Sequence, residues 1–82
     1  MRQQPSSAAL TLGMAYETGY MVPQSCTKAA AWVTIAATEG NAAAQQNLAL
    51  RYLSGDGVPT NPREAQKWLQ ASAKGYGAEL AP

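Results

Sequence analysis

Chemistry in a small chain starts from nucleophiles, acids and bases, and here the supply is narrow. The sequence holds one cysteine, five carboxylates and no histidine. Without histidine, neither Cys26 nor any serine has its commonest activating base. The carboxylates Glu17, Glu39, Asp56, Glu64 and Glu79 are spread along the chain, with no spacing that pairs two of them for acid–base work. A lone cysteine forms no internal disulfide, and the usual zinc ligand sets cannot be assembled. The run Gly55-Asp56-Gly57-Val58 lacks the lysine and spacing of a phosphate-binding loop. Catalytic, cofactor and metal sites are therefore each expected to be absent. Cys26 keeps some latent reactivity, because it falls in the first turn of a predicted helix, where backbone N–H groups lower a thiol pKa. Its plainer reading is an incidental small residue.

What must position any function is a chain of 82 residues with a net charge of +1 and 13% charged residues. The basic residues Arg2, Lys28, Arg51, Arg63, Lys67 and Lys74 are scattered rather than clustered, which excludes a nucleic-acid groove. No apolar stretch approaches the roughly 18 residues of a membrane span, so no membrane insertion is expected. The start Met1-Arg2-Gln3-Gln4-Pro5 lacks the apolar core of a signal peptide. The compartment stays open: cytoplasmic by default, periplasmic or secreted where a signal has been removed. Alanine supplies about a fifth of the residues and phenylalanine none. Such a composition favours closely packed helices over sheets.

A shift of 36 positions, the step from Ala8 to Ala44, lays the chain on itself. It aligns Leu12 with Leu48, Tyr16 with Tyr52, Gly19 with Gly55, Val22-Pro23 with Val58-Pro59, Ala29 with Ala65, Trp32 with Trp68 and Ala37 with Ala73. Each unit reads as helix, turn, helix, with a packing stripe of Ala8, Leu12, Ala15 and Tyr16 in unit one and Ala44, Leu48 and Tyr52 in unit two. Helices are predicted near 6–17, 25–39, 42–53 and 61–74. Asn61, Pro62 and Glu64 form a start signal of the capping-box type, with Glu64 as capping residue and Gly75 as the stop. The matching cap in unit one is Ser25, without an acidic partner at Lys28. Asp56, between two glycines, reads as a turn residue, and the repeated Trp32, Trp68, Tyr16 and Tyr52 read as core.

As a set, these residues resemble the Sel-one-like repeat family, relatives of the tetratricopeptide repeats. The pattern runs Ala8, Leu12, Gly13, Tyr16, Gly19, Val22, Pro23, Ala29, Trp32, Ala36, Ala37, Gly40, and again Ala44, Leu48, Tyr52, Gly55, Gly57, Val58, Pro59, Ala65, Trp68, Ser72, Ala73, Gly75. Three positions depart from it: Met21 stands in place of the second turn glycine, Ala49 in place of Gly13, and Gly75 comes one residue early relative to Gly40. The resemblance implies an all-α fold, an α/α solenoid of two helix-turn-helix repeats, a fragment of a tetratricopeptide-like right-handed superhelix. Residues 1–82 are expected to form one such domain, with repeat one at about 6–41 and repeat two at about 42–77. The tail 78–82 looks like the start of a truncated third repeat. The resemblance further implies bacterial origin and a non-enzymatic scaffold that binds another protein or a peptide segment. Alternatives are an immunity protein neutralising a bacterial toxin, and a hydrolase on cell-wall or β-lactam substrates.

On the first helices, the side opposite the packing stripe carries Leu10, Met14 and Glu17, then Gln46, Leu50 and Leu53. A shift of 36 residues is about ten helical turns, so equivalent positions point alike. In the family this side is concave, and the six residues are the candidate partner-binding set. On the second helices, Ala30, Ala31, Thr34 and Thr38 in unit one replace the polar Gln66, Lys67, Gln70 and Lys74 of unit two. An uncharged outer face suggests a contact surface there, for self-association with a second copy or for a neighbouring unit.

Overall fold

The computed structural model describes residues 5–80, which form two helical hairpins: α1 (Pro5–Thr18) with α2 (Cys26–Thr38), and α3 (Ala42–Ser54) with α4 (Pro62–Leu80). Each helix packs on the next in chain order, giving a slab with principal extents of 43 × 37 × 15 Å. The fold is the expected all-α repeat solenoid.

Local chemistry explains the boundaries. Ser25, Asn41 and Asn61 each cap a helix by accepting from the backbone N–H three residues on, at Lys28, Ala44 and Glu64. The Asn61 N–H donates to the Tyr52 carbonyl at 2.8 Å, so the return bond of a capping box from Glu64 is not what satisfies it. Ser25 N–H donates to the Tyr16 carbonyl at the same 2.8 Å, and this pair tethers the turn of each unit to its first helix. Gly19 and Gly55 end α1 and α3 in the left-handed region, with φ of 78° and 76°. The predicted stop at Gly75 fails, because α4 runs on to Leu80. A helical glycine costs only about 1 kcal/mol and terminates a helix when the chain turns left-handed there. Residues 78–80 of the tail extend α4, and 81–82 lie outside the described residues.

The fully buried positions are small: Ala29, Val33, Ala36, Ala44, Leu48, Ala49 and Ala65 are at or near zero exposure. Helices meet almost backbone to backbone, and a Cβ on Gly13 would sit 2.9 Å from Val33 Cγ2 and 3.1 Å from the Ala29 carbonyl. Trp32, Tyr52 and Trp68 are half-buried and pack on the margin of this cluster. The aromatics lean on the core; alanine, valine and leucine make it.

Burial at equivalent positions differs with what stands next in the array. Leu48 is 0% exposed and Leu12 40%; Val33 is 0% exposed and Leu69 40%. Ala44 is buried and Ala8 exposed, and Ala37 is buried while Ala73 is exposed. Unit two has α2 before it and unit one has α3 after it, and those neighbours supply the extra cover. The same geometry takes two residues out of the expected outer face of α2 and leaves Ala31 and Thr38 exposed. Ala30 is buried, and Thr34 is half-buried with its hydroxyl donating to the Ala30 carbonyl at 2.7 Å. Their uncharged character serves packing within the chain.

Two substitutions at one repeat position separate core from end. Leu48→Ala should cost about 2–5 kcal/mol, as for other buried leucines, whereas Leu12→Ala should cost less than about 1 kcal/mol. Denaturant titration of both variants checks this, and equal losses would count against the assignment of the open end.

Candidate interaction site

A concavity lies between the C-terminal ends of α1 and α3. It is a pocket of about 170 Å³ lined by Glu17, Asn47, Leu50, Arg51, Ser54 and Asp56. Its organiser is Arg51. α3 places this side chain one turn after Asn47 and just before the Gly55 cap, and only 3% of the residue is exposed.

The guanidinium joins three parts of the molecule. Nε donates to Asn47 Oδ1 at 2.8 Å along α3, and Nη2 donates to Glu17 Oε1 of α1. Nη1 lies 3.3 Å from Asp56 Oδ2 in the turn of unit two. That contact is an ion pair by distance but is not aligned as a hydrogen bond. Nη1 is accordingly a buried polar side-chain atom without a hydrogen-bond partner. Both carboxylates keep about two-fifths of their side-chain surface in water, 41% for Glu17 and 42% for Asp56. One cation shared between two half-exposed anions leaves the rim net negative.

The six residues of the candidate set divide. Glu17 and Leu50 line the pocket. Met14, Leu50 and Leu53 are exposed at 41%, 55% and 49%, and Gln46 is exposed one turn before Leu50. Leu10 is instead partly buried against the core cluster. Sequence reasoning missed Asn47, Arg51, Ser54 and Asp56. The available signal was at Arg51, where the 36-residue shift puts a charge opposite Ala15, a member of the packing stripe. Asp56, read as a turn residue, also carries one end of this network.

Cys26 is exposed at the start of α2. The Asp56 carboxylate, as hydrogen-bond acceptor and as negative charge, pushes the thiol above its ordinary range, so the latent reactivity draws no support. A thiol held protonated is a poor nucleophile at neutral pH. Among the described residues no group of acidic, cysteine or histidine side chains could hold a metal ion, and no helix is long and apolar enough to cross a membrane.

Comparison with known proteins supplies the remaining context. The family model described as the Sel1 repeat matches residues 6–41 and 42–76. A Sel1 repeat protein from Oxalobacter formigenes, solved by crystallography, superposes with a TM-score of 0.80 at 43% identity, covering 84% of this chain. The crystal structure of c5321, a protective antigen present in uropathogenic Escherichia coli strains displaying an SLR fold, gives a TM-score of 0.80 at 38% identity over 84%. This chain spans 20% and 15% of the lengths of those two proteins. No curated protein matches it.

Two outcomes are expected at this site. Arg51→Ala removes the tie between α1, α3 and the turn, and should lower stability by about 2–4 kcal/mol in denaturant titration. A loss below about 0.5 kcal/mol would show the cluster to be a surface ion pair only. Asp56→Asn removes the carboxylate that disfavours the thiolate, so at a fixed pH near 7.5 a larger fraction of Cys26 is ionised. Iodoacetamide should then alkylate Cys26 severalfold faster, and an unchanged rate would remove Asp56 as the cause.

Proposed function

The chain belongs to the Sel1 repeat family, and from that premise we propose that it is a protein-binding scaffold taking a partner segment across the exposed side of α1 and α3. Repeats of this family are typically protein–protein interaction modules. The observation that carries the placement is the juxtaposition of exposed apolar side chains with a negative pocket. Met14 on α1 and Leu50 and Leu53 on α3 present apolar surface that contributes nothing to the fold while uncovered. Beside Leu50 open the half-exposed carboxylates of Glu17 and Asp56, anchored from below by Arg51.

Such a surface suits a partner segment with an apolar residue next to a lysine or arginine. The apolar residue covers Leu50, and the cation lies between Glu17 and Asp56, where it meets opposite charge in partial burial. Arg51 is already committed to those carboxylates, so an acidic partner group would meet two anions before it met the cation. The immunity and hydrolase readings draw no support from these observations. A thiol pushed up in pKa works against the second of them.

Selection of a random peptide library on the immobilised chain tests the reading. Enriched peptides should carry Lys or Arg near an apolar residue. Their binding should fall more than about thirtyfold, the scale of a hot-spot loss, on the folded Met14→Glu/Leu50→Glu variant. Lys67→Glu/Gln70→Glu on α4 should leave it unchanged. Peptides that depend on residues 67 and 70 and ignore 14 and 50 would move the binding face to the second helices.

A further inference from the structure

The two ends of the array resemble the two sides of its internal junction. At that junction α3 brings Ala44 and Leu48 against α2, which contributes Val33 and Ala37. At the free ends the equivalents are Ala8 and Leu12 on α1, and Leu69 and Ala73 on α4, all exposed. Small and apolar, these surfaces match. On them alone, the head of one copy would dock on the tail of another. Such a contact does not close on itself and generates a filament.

The junction also has a third component, which sets its closest approach. The turn of unit two rests on the start of α2. A Cβ on Gly57 would lie 2.8 Å from the Cys26 carbonyl carbon, 3.0 Å from the Ala30 Cβ, and well inside contact distance of the Cys26 carbonyl oxygen. Backbone cannot give way as a flexible side chain can, and Gly57 also has φ +79°. Glycine is required there twice over, for space and for conformation.

Thirty-six residues earlier, the turn of unit one places Met21 at this position. It holds the left-handed φ of 65° without a glycine, and is 85% exposed. At the start of α4 the equivalents of Cys26 and Ala30 are Pro62 and Gln66, both exposed. Gln66 can swing aside, but the Pro62 carbonyl is backbone. In the register of the internal junction the Met21 side chain would run into it.

We propose that Met21 keeps the turn of unit one from seating on another second helix in the register of the internal junction. The open face of α4 accepts a further helix hairpin of this repeat type with glycine at the second turn position, and rejects the first unit of another copy of this chain.

The test joins two copies so that residue 77 is followed by Ser6 of the second, which keeps the 36-residue register and sets the second copy's Met21 at the new junction. Met21→Gly is then made in the second copy, in the first copy and in the 82-residue chain. Glycine in the last two relieves left-handed strain at a free end and nothing more. At the new junction it should also merge two unfolding transitions into one and raise the melting temperature by at least about 5 °C beyond the free-end gain. Equal gains at both places, or a single cooperative transition with methionine already at the junction, would overturn the proposal.

Discussion

How closely α2 is approached on both sides decides most of what this molecule is. On one side α1 comes near enough that Gly13 has no room for a methyl group between the Ala29 carbonyl and Val33. On the other the turn of unit two leaves none at Gly57. Contacts at backbone distance let a chain with few large apolar residues exclude water, because alanine needs a partner at short range to bury anything. They also make the arrangement intolerant of bulk. A core of leucine and phenylalanine could relax around an added methylene, whereas this one meets rigid backbone.

That constraint explains which parts of the fold could be read in advance. The 36-residue shift, the caps at Ser25 and Asn61 and the glycines of the turns are local features, and they appear where the pattern puts them. The environment of each copy is not local. Leu12 and Leu48 are one residue type at one repeat position, yet one is 40% exposed and the other fully buried. The same holds for Ala8 and Ala44, and at the far end for Ala37 and Ala73. A repeat pattern states how each unit packs internally; which units have neighbours is a property of the array. Ala30 on the uncharged face of α2 looked like part of an external contact for the same reason, and it lies under the turn of the next unit, while Ala31 and Thr38 stay exposed.

The pocket was half legible. Glu17 and Leu50 could be placed from helical periodicity, since the side opposite a packing stripe faces outward. Arg51 was hidden by the repeat itself. Its equivalent is Ala15, in the stripe that packs inward, and a charge at such a position reads as a lapse in the pattern. It is instead the reason the pocket exists. A buried guanidinium needs anions nearby, and two are present, Glu17 from α1 and Asp56 from the turn. These partners come from different elements, and no spacing rule connects positions 17, 51 and 56.

Seen together, the ends and the sides of this solenoid obey opposite rules. At the ends the deciding groups are backbone carbonyls and missing side chains, so fit is all or nothing and one methionine is enough to refuse a neighbour. Along α1 and α3 the exposed apolar groups are long, flexible side chains, Met14, Leu50 and Leu53, beside two half-hydrated carboxylates. Surfaces of this kind adapt to a segment rather than to a second rigid hairpin, and methionine and leucine can repack around different apolar residues at little cost. Arg51 lies where the two regimes meet. It fixes Glu17 and Asp56 from within the packed interior while leaving their outer lone pairs in water. Polar contacts at the surface therefore start from positions that folding has already set, and a binding partner has less ordering left to supply.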